Sequence, residues 1–298
     1  MQFSRLYKED NNDYVIKRFE DSQDKIILSS SIIEWVKKRG FNNILDIKKT
    51  YYGRPYIKIN QKKYLLESNI KGKKLRLKNK SDMFLAVSTL AKFHLASEGY
   101  PMQSGVKIES SWGKCMEKYK TYICDLEKYA YKIERYGVKN EFEKVTADYL
   151  DDLYKCSKKT IDFFRSEKYI LAIEESMKKR EICINDFTQN SVLIDKNKNA
   201  YITKIYSLGY NMCEEDIASI LRRYIEENES IEFLQEIINE YTKIRELSSV
   251  SKENLINLVM FPESPIKIIS KYMKKGLYKD NMLDKFLLTS RIFTEKEV

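Results

Sequence analysis

Residues 182–206 hold the side chains with the most chemical potential in this chain, and their types do not match one task. Asp186 sits on a short loop, Ser191 follows five residues later, and an apolar run, Val192-Leu193-Ile194, comes next. A polar turn at 196–199 leads into a second apolar run, Tyr201-Ile202-Thr203, which ends on Lys204. A loop carboxylate such as Asp186 can serve as a proton acceptor, or it can serve structurally by accepting loop N–H bonds. Mg²⁺ demands hard, well-placed oxygen ligands. The Ser191 hydroxyl is a poor one. Asn190 stands next to it, and using Asn190 in its place would slip the register of the following strand and reverse its faces. The Lys204 ammonium has no lone pair for a metal and repels it. It is placed instead to pair with Asp186, in which case a Lys204→Glu variant should be less stable than the parent.

Other chemistries are narrowed by composition. The single histidine, His94, removes most metal sites and most acid–base schemes built on imidazole, and we read it as a packed helix residue. Five cysteines (Cys115, Cys124, Cys156, Cys183 and Cys213) form no Cys-x-x-Cys pair, and we expect reduced thiols of an intracellular chain. The chain has 298 residues, 43% of them hydrophobic and 33% charged, enough for one large domain or two lobes. No apolar run is long enough to span a membrane, and the N-terminal residues lack the apolar core of a signal peptide. The formal charge of +10 suits acidic partners or anionic polymers, or simply a solvated lysine-rich surface.

The elements that must position these residues follow from periodicity. Residues 14–19 form a β-type run, and residues 22–39 place Ile26, Ile27, Ile32, Ile33 and Val36 broadly on one side of a helix that Gly40 ends. A strand meander follows over 44–51, 55–59 and 63–67, with a Gly53-Arg54 turn. The remainder reads as helices, one capped by Ser81 and ending at Gly99, one ending at Gly137 and one over about 141–166, interrupted by the short strands of 182–206 and resumed from Asp216. The basic run 71–80 joins the two halves.

The order of these pieces resembles the aminoglycoside/choline-kinase-like superfamily, and more narrowly the CotS-type spore coat proteins. Residues 64–72 resemble a hinge strand ending in Ile-x-Gly. Residues 90–100 resemble a Leu-x-x-Phe-His-x-Ala-Ser-x-Gly segment, and 216–223 resemble Asp-Leu-Ala-x-x-x-Arg-Arg. Residues 258–262 resemble a late Phe-Pro junction. The loop at 184–191 stands in the frame His-Gly-Asp-x-x-x-x-Asn, with Ile184, Asn185 and Ser191 as departures, and Lys204 stands where the superfamily carries the aspartate of Asp-Phe-Asp or Asp-Phe-Gly.

The resemblance implies an α+β, two-lobed protein-kinase-like fold: a small, truncated, β-rich N-lobe over 1–70 and a mainly helical C-lobe over 71–298. It implies a catalytic position at Asp186 and a nucleotide site near Lys17, Glu34, Leu66 and Glu67, in which Lys17 pairs with phosphate and Glu34 is its helix partner. It implies a loop-anchoring role for Asp216. No glycine precedes the Lys17 strand, so a Gly-rich phosphate loop is not expected. Phosphoryl transfer depends on positioning and charge neutralisation. Three losses of about 2–4 kcal/mol each would lower the rate by several powers of ten. Two function classes result: a non-catalytic pseudokinase that scaffolds the spore coat, or an ATP- and Mg²⁺-dependent small-molecule phosphotransferase with a rearranged metal site, for which Glu214 and Glu215 are the nearest replacement carboxylates. A polyanion-binding module is a weaker third. The first class expects no cofactor, other coat proteins as partners, no membrane and no nucleic acid, and a location in the mother-cell cytoplasm and then the spore coat.

Overall fold

The computed structural model describes residues 6–9, 12–101, 105–276 and 280–293. In chain order the strands and helices are β1 (Leu6–Glu9), β2 (Asn12–Phe19), α1 (Gln23–Lys38), β3 (Ile47–Lys48), β4 (Ile57–Ile59), β5 (Lys62–Ser68), β6 (Lys73–Lys74) and α2 (Lys80–Ser97). Then come α3 (Lys114–Tyr136), α4 (Glu141–Ala147), α5 (Leu150–Phe164), α6 (Glu167–Lys179), β7 (Ile182–Cys183), β8 (Val192–Ile194), β9 (Ala200–Ile202) and β10 (Gly209–Tyr210). The chain closes with α7 (Cys213–Asn228), α8 (Leu234–Thr242), α9 (Ser249–Met260), α10 (Glu263–Lys275) and α11 (Asp280–Ser290).

Two compact units result, and both are discontinuous in sequence. The first comprises 1–111, 175–220 and 235–246; the second comprises 112–174, 221–234 and 247–298. The residues expected to form the small lobe and the loop at 182–206 therefore lie in one unit.

In the first unit β5 is the centre of an antiparallel sheet, flanked by β2 on one side and by β3 and β4 on the other, with β1 beyond β2. Its alternation is of period two: Leu65 and Glu67 are buried on one face, and Leu66 lies on the opposite, more open face. Helix α1 starts on Ser22, whose hydroxyl accepts the Asp24 amide, and Gly40 leaves it at φ +86°. Its buried residues are Ile26, Leu28, Ser29, Ser30, Ile32, Ile33 and Val36, a broad stripe that leaves Glu34 outside it. A second sheet orders β6-β8-β9, and β10 pairs with β7. Gly72 enters β6 with no room for a side chain, since a Cβ there would stand 2.7 Å from the Ile194 carbonyl oxygen. This gives the glycine of the Ile-x-Gly segment its physical reason.

Three sequence-based boundaries shift. The strand expected over 44–51 shrinks to Ile47–Lys48, with only an isolated bridge from Ile44 to Ile202. Helix α2 is capped by Asn79, not Ser81: the Asn79 side chain accepts the Asp82 amide and Arg76 then clasps Asp82 at 2.8 Å. The single helix expected over 141–166 is two, α4 and α5, because the chain leaves helical pairing at Asp148 and restarts at Tyr149.

The second unit packs α3 against α5 and α10, with α10 against α11 and α5 against α9. Tyr119 of α3 stacks on Phe261 with ring centroids 3.7 Å apart and planes 8° from parallel. A buried ionic cluster sits beside this stack. Glu263 meets Arg222 at 3.3 Å, Lys118 at 2.7 Å and Lys267 at 2.5 Å. Burial alone would raise the Glu263 pKa, but Arg222, Lys118 and Lys267 outweigh it and bring it down to about 2. A carboxyl whose folded pKa lies below its ordinary 4.5 contributes stability that is complete above that value and is lost as the pH falls towards about 2. Glu263→Gln should therefore cost about 1–3 kcal/mol at neutral pH. The difference from the parent should narrow through this acid window. Urea unfolding at pH 7 and pH 3 checks it, and a pH-independent difference would refute the assignment.

Candidate functional site

The loop between β7 and β8 is held in place by Asp216, near the start of α7. One carboxylate oxygen accepts the Ile184 amide at 2.6 Å and the other accepts the Asn185 amide at 2.9 Å. Asn185 sits at φ +60°, the left-handed region that glycine occupies freely and asparagine tolerates better than most residues. Its side chain then ties the loop outward, donating to the Ser207 carbonyl at 2.9 Å and accepting from the Asn211 side-chain Nδ2 at 2.9 Å. Asn185 thus holds a left-handed turn and adds side-chain bonds that a glycine there could not make.

Beyond the anchor, the Ser191 hydroxyl is spent on the loop's own backbone. Ser191 is fully buried at the end of a short 3₁₀ turn. Its hydroxyl accepts the Thr188 amide at 3.0 Å and donates to the Asp186 carbonyl at 2.8 Å. That oxygen clasps the loop and is not presented as a metal ligand. Asn190 is exposed. The Lys204 ammonium forms an ion pair with the Asp186 carboxylate, and both side chains remain roughly half exposed. The set does not fit Mg²⁺: a cation holds the carboxylate that remains, and the hydroxyl is already satisfied. Of the two nearest replacement carboxylates, Glu214 is buried and its charge acts on Tyr241 and Arg245.

Lys17 of β2 reaches Glu67 of β5 at 3.1 Å. The strand register explains the meeting: Lys17 opposes Leu65 and Val15 opposes Glu67, so Lys17 and Glu67 are diagonal neighbours on one face. Tyr206 closes the group. Its hydroxyl donates to Glu67, its ring lies 4.9 Å below the Lys17 ammonium, and it packs on Phe19 at 4.7 Å. Burial, together with the Glu67 carboxylate, pushes the Tyr206 phenol far above its ordinary range. Glu34 does not join Lys17. It stands off the buried stripe of α1, and its carboxylate pairs with Lys49. Leu66 is not brought to Lys17 either; it faces the other side of the sheet with Ile16. At the end of β5 the Ser68 amide donates to the Asp46 carbonyl at 2.9 Å, and just past it the Asn69 amide donates to the Asp13 carbonyl at 2.7 Å. Neither amide is left to donate to a nucleotide beside the Leu66–Glu67 segment where the resemblance places one.

Sequence reasoning missed the polar core beneath the loop. His94 is buried in α2, with Nδ1 at 2.8 Å from the Tyr241 hydroxyl and Nε2 at 3.2 Å from Asp216. The fold also brings Cys183 and Cys213 to it, so that one atom from each of the three lies within 4.8 Å of the others. Burial disfavours a charged imidazole, but Cys213 and Asp216 hold the His94 pKa up at about 9. Burial likewise opposes the Cys213 thiolate, but Cys183, Arg245 and His94 bring that pKa down to about 7. Both ring nitrogens of His94 already have partners, so the group is a hydrogen-bonded hub under the loop. Arg245 completes it by pairing with buried Glu181, whose second oxygen accepts the Cys213 amide at 3.2 Å. The one sequence clue was charged residues among apolar neighbours, and no periodicity specifies which of them meet.

A unit of three small antiparallel sheets, with a strand–loop–strand at 182–202 and an anchoring aspartate, has the kinase-like phosphotransferase fold. Comparison with solved structures agrees. An aminoglycoside phosphotransferase from Alicyclobacillus acidocaldarius is similar with a TM-score of 0.84 at 16% identity, over 98% of this chain and 89% of that one. The AMP-bound spectinomycin phosphotransferase APH(9)-Ia is similar with a TM-score of 0.59 at 14% identity, over 98% and 87%. A microcompartment-associated aminopropanol kinase is similar with a TM-score of 0.59 at 13% identity, over 98% and 87%. At these identities the likeness is one of fold. The family is shown separately: the model described as "Spore coat putative kinase YutH" matches residues 1–294, and the chain belongs to that spore coat kinase-like family. Among the described residues no helix is long and apolar enough to cross a membrane.

Proposed function

We propose that this chain is a catalytically inactive, kinase-like component of the spore coat that acts as a scaffold with other coat proteins, made in the mother-cell cytoplasm before it joins the coat. The observation that carries this reading is the Lys204–Asp186 pair. An ammonium takes the place of the acidic metal ligand and neutralises the carboxylate that would act on a substrate hydroxyl. The spent Ser191 hydroxyl and the occupied amides of Ser68 and Asn69 point the same way. Charge neutralisation of a transferring phosphoryl group is the main term such an enzyme supplies, and this loop lacks the groups for it. No cofactor is required for a scaffold of this kind.

The test is calorimetric titration of ATP into the purified chain, with and without Mg²⁺. The expected result is no Mg²⁺-dependent binding. A Mg²⁺-dependent heat would mean that another carboxylate holds the ion, and would restore the ATP-dependent phosphotransferase reading. Lys204→Glu should lower stability by only about 1 kcal/mol, since the pair it disrupts is half exposed. A loss several times larger, measured by urea unfolding, would mean that the pair closes the loop mechanically as well as electrostatically.

A further inference from the structure

The outer face of the first sheet has no part in the loop chemistry, yet it is shaped and charged. A groove of about 390 Å³ is lined by Ile16, Lys48, Pro55, Tyr56, Ile57 and Leu66 among others. A second groove adjoins it, sharing Thr50, Tyr56 and Ile57 and adding Tyr51, Tyr52 and Arg54. Apolar side chains stand in water here: Tyr51 and Tyr52 are 98% and 86% exposed, and Ile57 and Ile59 about half exposed. The two tyrosines pack edge to face on each other with centroids 5.4 Å apart. Exposed apolar surface gathered in one place marks an interaction site more often than scattered residues do. Tyrosine-rich surfaces supply contact area at low entropic cost.

Charge indicates the occupant. From Ile47 to Leu66 the chain carries six cations (Lys48, Lys49, Arg54, Lys58, Lys62 and Lys63) and no acid. Arg54, Lys58 and Lys62 have no acidic partner among the described residues. The backbone contributes as well. Strand β4 pairs only with β5, so its other edge has no strand partner among the described residues. An open edge beside an apolar groove suits an extended segment, which offers main-chain bonds to the edge and alternate side chains to the groove. We infer that this face docks an extended acidic segment of a partner protein, with an aromatic or aliphatic side chain seated between Ile16, Ile57 and Leu66 and its carboxylates among the lysines and Arg54. A concave groove beside an open strand favours a polypeptide over a lipid surface. Docking here is separate from the loop at 182–206, so it fails or holds independently of ATP binding.

The probe is a fluorescein-labelled peptide, Glu-Glu-Phe-Glu-Ile-Glu-Glu, titrated with the full chain and followed by fluorescence anisotropy. Saturable binding that weakens as salt rises is expected. Tyr52→Ala and Arg54→Glu, both at exposed positions, should each weaken it by about tenfold. Exchanging the peptide's glutamates for lysines should abolish it. Ile59→Glu serves as a further exposed variant, and circular dichroism checks that each variant is folded. Absence of saturable binding overturns the inference, and so does binding that the variants leave unchanged. Self-association of the chain that Tyr52→Ala removes would assign the face to a second copy and overturn it. Binding to phosphatidylglycerol vesicles with the same sensitivity to the variants, without peptide binding, would assign it to a membrane surface and overturn it equally.

Discussion

Asp216→Ala should unfold the chain at markedly lower urea, with a loss of about 3–5 kcal/mol, the range for removing one partner from a buried charged network. The size follows from how many groups the carboxylate satisfies. It is 1% exposed, accepts two consecutive loop amides, and faces the His94 ring. Removing it leaves both donors buried without an acceptor, at about 1–3 kcal/mol for each unsatisfied group. It also frees the backbone that holds Asn185 at positive φ. Asp216→Asn should be milder, because the amide oxygen can still take one of the two amides. Circular dichroism against urea measures both variants. A loss below about 1 kcal/mol for the alanine variant would show that water replaces the carboxylate, and that the loop is held by its own Ser191 and Asn185 bonds.

Arg245→Met should cost a similar amount, about 3–5 kcal/mol, for a different reason. Arg245 and Glu181 are each 5% exposed and paired. Burial raises the Glu181 pKa, but Arg245, together with the Ser176 hydroxyl, the Cys213 amide and His94, outweighs burial and lowers it. Without Arg245 the desolvation of Glu181 is unopposed by its main partner, and its folded pKa should rise above the unfolded value. Stability lost at neutral pH should then return in part as the pH falls and Glu181 takes up a proton. The double variant Arg245→Met/Glu181→Gln removes the stranded charge but keeps an acceptor for the Cys213 amide. It should recover most of the loss, which a double-mutant cycle reads directly. Additive losses would mean that the two side chains are not coupled.

Both predictions concern residues under the loop: the resemblance implied the anchoring role of Asp216, but nothing in the sequence tied Arg245 to Glu181. The frame of the loop itself was legible. Asp186, Ser191, the apolar run and Lys204 are close in sequence, and a short strand–turn–strand preserves that closeness, so the pairing of Lys204 with Asp186 could be expected and the structure contains it. Helix α1 and its glycine exit were legible for the same local reason: apolar spacing and one residue suited to positive φ.

The partner of Lys17 was not legible. Glu34 and Glu67 are both acidic and both at plausible distances along the chain. The choice fell to β-strand register, which sets Glu67 diagonal to Lys17, and to the roll of α1, which turns Glu34 towards Lys49. The break between α4 and α5 was missed because periodicity runs through it unchanged. The hub of His94, Cys183, Cys213 and Asp216 joins residues from α2, β7 and α7, up to 122 positions apart. By itself the sequence determined the order of elements, the altered loop frame and the basic, acid-free stretch over 47–66. Only the tertiary structure decided which charges meet, because pairing across elements depends on register and helix rotation, and a one-residue change in either carries a side chain to the opposite face.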